Sequence, residues 1–240
     1  MASGARDDKA KVPVEWLLGL VDKALTIGSD AVVAVLKRAR KQWPDADPAT
    51  LLKTLERSYL GSMTGGGAAV GGAAAARGLG TGASIALSLG ETATFLEASL
   101  LLSLASAEIR GVSFDGLDQR RMLLFTIMLG NSGSSFVELM AARTGRHWGL
   151  RMAEGVPLET IKAINKVLGP RFVTRYGTRQ GIVVLGRSLP FGVGAAIGGV
   201  GNYLIAQTVV SATRKAFGPA PESWPTRLYL SSDEPGDTTP

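Results

Sequence analysis

The stretch that decides the fold is SLPFGVGAAIGGVGNYLIAQTVVSAT, residues 188–213, which runs for 26 residues without a charged side chain. Gly194 and Gly198 lie in this stretch, four residues apart. Residues at this spacing share one face of a helix, and small residues on such a face let two helix backbones approach closely. We therefore predict an apolar helix that follows Pro190 and ends near Phe217.

A second glycine-rich stretch occurs earlier in the chain. Residues 62–76 are uncharged and contain only Gly, Ala, Ser, Thr, Met and Val, with Gly67 and Gly71 at the same spacing of four. After Arg77, another apolar run continues to residue 107, interrupted only by Glu91 and Glu97. Both runs predict Gly/Ala-rich central helices that pack closely, with the two pairs of glycines as contact points.

Helical signals also occupy the rest of the ordered chain. Helical periodicity predicts one helix over 14–43, and Asp47 before Pro48 is typical of a helix start. Breaks are expected at 131–135 and at Gly169-Pro170. No alternating strand pattern is present. The prediction is an all-α compact bundle of about six or seven helices, one domain over 13–218, with a disordered leader (1–12) and a disordered tail (219–240).

Composition limits both the core and the compartment. Hydrophobic residues make up 45% of the chain but aromatic residues only 6%, which predicts a core of small side chains rather than large rings. There is no cysteine, and the charged N-terminus lacks a secretory signal. We expect the protein at the cytoplasmic side of the cell membrane, or in the cytoplasm.

The positive charge is concentrated in one region. Residues 143–187 carry nine basic side chains against Glu154 and Glu159. Such a cluster favours an anionic partner, with a solvated helix face as the alternative. The predicted contact with anionic lipid or a partner protein consists of Lys162, Lys166, Arg171, Arg175, Arg179 and Arg187. Nucleic acid is an unlikely partner, because no reading motif or aromatic platform accompanies these residues.

The charge-free run is long enough to cross a bilayer, but its glycines, Asn202 and Gln207 make it only modestly hydrophobic. Membrane insertion, peripheral membrane contact and a buried hairpin in a soluble bundle all stay open.

Catalytic and cofactor motifs are missing from the sequence. Residues 78–83, GLGTGA, fit a dinucleotide-binding pattern in letters, but no strand precedes them. There is no Gly-Lys dipeptide for a phosphate-binding loop. The single histidine, His147, stands among cations, which opposes metal binding. We therefore expect no enzymatic activity, cofactor or metal.

Several charged residues stand in apolar surroundings and need partners. Glu97 and Glu108 are eleven residues apart and share a helix face, while Glu91 lies in the same apolar run. Arg77, Arg110 and Asn202 are candidate partners. These residues either fix the register of the helices or line a ligand groove.

Two blocks of the sequence resemble the EcsC family of bacterial proteins. The first comprises 65–73 (GGGAAVGGA), 107–115 (AEIRGVSFD) and the Arg120-Arg121 pair. The second is 189–202 (LPFGVGAAIGGVGN), followed by 212–217. The resemblance spans about residues 50–218, and the Pro, Gly and Asn of the second block are its most specific part.

The resemblance implies a helical, membrane-associated protein without an agreed biochemical activity, named for a neighbour of an ABC transporter. Our first hypothesis is a non-enzymatic structural or accessory protein at the membrane, contacting anionic lipid or a membrane partner such as a transporter. The alternative is a soluble helical module that binds lipid or a small ligand in an apolar cavity near Glu91, Glu97 and Asn202. The sequence leaves the oligomeric state open.

Overall fold

The computed structural model describes the backbone of residues 14–75, 81–140, 147–187 and 193–225. Side chains are described for the same residues except 67–75, 81–89, 154, 177–187 and 193–198. Within these ranges the chain is helical and forms no strand, which confirms the all-α prediction. The described residues form nine helices, more than the six or seven predicted.

The helices, in chain order, are α1 (Val14–Ala24), α2 (Ser29–Gln42), α3 (Pro48–Ala75), α4 (Thr81–Glu108), α5 (Leu117–Leu129), α6 (Asn131–Met140), α7 (Trp148–Gly155), α8 (Leu158–Arg187) and α9 (Val193–Phe217).

Two of the helix boundaries differ from the prediction. The single helix expected over 14–43 is two helices, because the chain turns at residues 25–28 and α2 starts after an extended Gly28. The break expected at 131–135 lies one residue earlier, at Gly130, whose φ of 62° favours glycine. The start of α3 is as predicted, since Asp47 Oδ1 accepts a hydrogen bond from the Thr50 amide at 2.6 Å. That bond lowers the pKa of the Asp47 carboxyl.

The break predicted at Gly169-Pro170 is wrong, because α8 continues through Pro170. Packing on α5 holds both sides of the proline in place. Gly169 faces Phe125, and the rings of Phe125 and Phe172 lie 5.0 Å apart. The hydroxyl of Tyr176 donates to the carbonyl of Met128 at 2.9 Å. These contacts offset the hydrogen bond that a proline removes from a helix.

The centre of the bundle is the set of α3, α4 and α9, and the contact between α3 and α9 is the most extensive of any helix pair. Arg214 contacts Glu56 and Asn202 contacts Met63, so α9 runs antiparallel to α3. Tyr59 is hydrogen-bonded to Ser99, and Met63 and Glu91 both contact Asn202, so α4 is also antiparallel to α3.

The core contains more aromatic rings than the composition suggested. Trp148, Phe172 and Phe217 are among the largest fully buried side chains. Phe114 packs edge-on against Phe217, with ring centroids 6.0 Å apart. The prediction of a core without large rings is therefore wrong, because the few aromatic residues are concentrated inside the bundle.

The C-terminal tail, predicted to be disordered from residue 219, joins the bundle for several more residues. The carbonyls of Gly218 and Pro219 accept hydrogen bonds from Arg110, at 2.6 and 3.2 Å. Arg40 lies over the ring of Trp224, 4.9 Å from its centroid. The predicted leader and residues 226–240 lie outside the described residues.

Candidate functional site

The basic residues of α8 do not form one uniform solvent-facing stripe. Lys162 pairs with Glu159 at 3.2 Å, and Lys166 is exposed. The guanidinium of Arg171 lies over the ring of Phe136, 4.8 Å from its centroid. Arg175 is half-buried and donates to the carbonyl of Leu129 at 3.3 Å, where it satisfies the C-terminal end of α5.

Arg179 and Arg187 belong to the last part of α8, where the backbone is described but the side chains are not. The contact of Arg175 with Leu129 places this last part beyond the end of α5. Thr208 of α9 lies against the neighbouring Gly130. Arg175 of α8 and Thr208 of α9 therefore lie at the same level along the two helices. We call the parts of both helices beyond this level the distal segment (176–187 and 193–207).

The distal segment exposes apolar side chains on α9. Val200, Tyr203 and Leu204 are 61%, 40% and 61% exposed, and their spacing of three and four places them on one face. The Tyr203 hydroxyl accepts a hydrogen bond from Gln207 at 2.7 Å. These three side chains therefore form an exposed apolar face of α9.

A polar contact within the distal segment joins three central helices. Asn202 of α9 donates through Nδ2 to Glu91 Oε1 of α4, at 2.5 Å. The same nitrogen lies 3.4 Å from the carbonyl of Met63 on α3. Asn202 and Glu91 were both predicted as site residues, and the structure brings them into contact. Their hydrogen bond connects α9 with α4.

The other predicted carboxylates are apart from this contact. Glu97 pairs with Lys23 of α1 at 3.2 Å. The buried Glu108 accepts a hydrogen bond from Ser113 at 2.7 Å, just after its own helix ends. Arg77 lies outside the described residues. The structure therefore divides the predicted groove residues among separate contacts.

Arg110, proposed as a partner of these carboxylates, instead binds backbone carbonyls. Besides Gly218 and Pro219, it donates to Ser106 at 2.6 Å. Burial lowers its pKa to about 10, partly opposed by the charge of Glu56. Its role here is to fasten the C-terminal end of α9.

The predicted glycine contacts depend on the register of α3 and α9. With Met63 beside Asn202 and the helices antiparallel, Gly67 is at the height of Gly198, and Gly71 at that of Gly194. The surroundings of these four glycines lie outside the described residues. Other glycines of α3 and α9 are not at close helix contacts, because a Cβ at Gly61, Gly65 or Gly201 would meet no atom within 4 Å.

One central ion pair was not predicted from the sequence. Arg214 of α9 donates to both carboxylate oxygens of Glu56, with an Nε–Oε1 distance of 2.8 Å. This hydrogen bonding raises the pKa of Arg214. Glu56 is buried, and a lone acid on the apolar face of the α3 pattern was the available signal.

A second missed feature is an apolar groove of about 170 Å³ between α2, α3 and α4. It is lined by Val35, Leu55, Ser58, Tyr59, Ser62, Met63, Ala98, Leu101, Leu102 and Ala105. None of Glu91, Glu97 and Asn202 lines this groove, so it is distinct from the predicted cavity near those residues, which stays a prediction.

Among the described residues, no group of three or more His, Cys, Asp or Glu side chains could hold a metal ion. His147 lies where a Cβ at Gly218 would be, so it packs at a helix junction. Within the described part of the chain, no helix combines the length and the apolar character needed to cross a bilayer.

Comparison with known proteins adds no relative. No family model matches the chain, and neither a curated protein nor a solved structure matches it significantly. The resemblance to the EcsC family therefore stays a prediction from the residues quoted above.

Proposed function

We propose that the protein is a non-enzymatic structural or accessory protein that binds anionic lipid peripherally at the cytoplasmic side of the cell membrane. The observation that carries this proposal is the exposed apolar face of Val200, Tyr203 and Leu204 on α9, a helix that packs against α8. Apolar side chains would enter the headgroup region, and Arg179 and Arg187 would attract anionic headgroups. A membrane protein such as a transporter fits the same role as a partner.

Sedimentation with lipid vesicles tests this proposal. Wild-type protein should bind vesicles that contain phosphatidylglycerol, lose binding as salt increases, and bind phosphatidylcholine vesicles weakly. Arg179→Gln with Arg187→Gln should weaken binding to the anionic vesicles by roughly 30-fold, since each cation contributes about 1 kcal/mol near such a surface.

The matched control is Lys162→Gln with Lys166→Gln, which removes the same charge from the other half of α8. This control should retain most of the binding. If the lysine pair causes the larger loss of vesicle binding, the N-terminal half of α8 is the membrane contact and the proposal is wrong. Arg175 is left unchanged because its contact with Leu129 makes any substitution a test of stability as well.

A second function, a module that binds lipid or a small ligand, is favoured by the groove between α2, α3 and α4. The two functions use different surfaces and are tested separately.

A further inference from the structure

We infer that the groove between α2, α3 and α4 binds the alkyl chain of a free fatty acid, with its carboxylate near Arg38. This inference rests on the second of the two proposed functions, and it is independent of vesicle binding through the distal segment.

The size of the groove restricts the occupant. An apolar cavity of about 150 Å³ accepts a molecule the size of benzene, whereas sites for drug-sized ligands measure about 300–1,000 Å³. The groove, at about 170 Å³, is too small for a drug-sized ligand and suits part of one alkyl chain.

The lining of the groove offers little to a polar ligand. No charged residue lines it. The Tyr59 hydroxyl is bonded to Ser99 Oγ at 2.8 Å, and the Ser62 hydroxyl donates to the carbonyl of Ser58 at 2.8 Å. These two hydroxyls already have partners, and Ser58 adds one more hydroxyl at the exposed side of the groove, so apolar side chains such as Leu55 and Leu101 make most of the contact with a ligand.

The position of Arg38 on α2 is the reason for choosing an anionic headgroup. Arg38 is exposed on α2, one turn beyond the lining residue Val35. The acid next to the lining residue Ala98 is Glu97, and its charge is offset by Lys23 at 3.2 Å. Arg38 is thus a cation one turn from the lining residue on α2, and the carboxylate of a single alkyl chain in the groove would pair with it.

Isothermal titration calorimetry with sodium decanoate, below its micelle concentration and without vesicles, tests the inference. Wild-type protein should bind decanoate. Ala98→Leu, which extends a side chain into the groove, should weaken binding at least tenfold without lowering the melting temperature. Ala163→Leu, the same substitution at an exposed position on α8, should leave the affinity unchanged.

Two further variants make the test decisive. Ser62→Leu narrows the groove from its exposed side and replaces Ala98→Leu if that variant melts earlier than wild type. Arg38→Gln should remove the preference for decanoate over decanol. Absence of decanoate binding by wild type, or equal binding by the groove-filling and control variants, would overturn the alkyl-chain site. An unchanged preference in Arg38→Gln would overturn the placement of the carboxylate. Either result leaves vesicle binding to be judged on its own data.

Discussion

Asn202 of α9 donates a hydrogen bond to Glu91 of α4, more than a hundred residues earlier in the chain. Both residues are half-buried. They lie where the uncharged, glycine-rich parts of α3, α4 and α9 begin. Because the contact joins helices that are remote in sequence, it fixes how far α9 slides along its neighbours.

Removing the Asn202 amide should destabilise the fold. Asn202→Ala should lower the free energy of unfolding by about 1–3 kcal/mol, because the Glu91 carboxylate loses a donor in a partly desolvated place. Urea denaturation followed by circular dichroism measures the change. Gln207→Ala is the control, since its partner Tyr203 is exposed and the loss should stay below about 0.5 kcal/mol. Equal losses in the two variants would show that Asn202 has no special structural role.

The ion pair between Glu56 and Arg214 should contribute more than an ion pair on the surface. Arg214→Ala removes the donor that contacts both oxygens of a buried carboxylate, and it should cost about 1–3 kcal/mol in unfolding free energy. Lys162→Ala removes the partner of the exposed Glu159, and this loss should be under about 0.5 kcal/mol. If thermal and urea unfolding show a larger loss of stability for Lys162→Ala than for Arg214→Ala, then Arg214 does not stabilise the buried Glu56 carboxylate.

Adding a methyl group should have opposite effects at two helical glycines. A Cβ at Gly133 would lie 2.5 Å from the carbonyl oxygen of Thr126, so Gly133→Ala should destabilise the protein by about 1–3 kcal/mol. A Cβ at Gly201 would meet open space, so Gly201→Ala should stabilise it by up to about 1 kcal/mol. Melting temperatures that change in the same direction for both would contradict the packing described here.

Stability at alkaline pH should depend on Tyr59. Burial raises the pKa of this hydroxyl, with its hydrogen bond to Ser99 acting in the opposite direction. The unfolded chain therefore releases the proton first, from about pH 10, and stability is lost as the pH rises above that value. Tyr59→Phe should be less stable than wild type at pH 7 but should lose less of its stability between pH 9 and pH 11. Parallel pH profiles for the two proteins would rule this out.

The sequence predicted the helical class, the start of α3 and the end of α9, because caps and periodicity are local signals. The continuation of α8 through Pro170 was not predictable, since it depends on Phe125 and other partners on α5. Glu91 and Asn202 were recognised as unusual polar residues, but their pairing is a tertiary contact. Arg175 was predicted to be part of the basic contact surface. The spacing of the basic residues gave no indication that Arg175 binds the Leu129 carbonyl.

Contact of the distal segment with anionic membranes can be tested with a single fluorescent label. The sequence has no cysteine, so an introduced one is labelled without competition. Leu204→Cys reports on the distal segment. Leu117→Cys is a matched control because both leucines are 61% exposed. Leu117 is the first residue of α5, at the end of that helix opposite to the distal segment.

The measurement is the emission of an environment-sensitive nitrobenzoxadiazole label on each cysteine, with and without phosphatidylglycerol vesicles. The label at position 204 should show a blue shift and increased intensity that high salt reverses, and the label at position 117 should change little. No change at position 204, or the same change at both positions, would contradict the claim that the distal segment is the membrane contact.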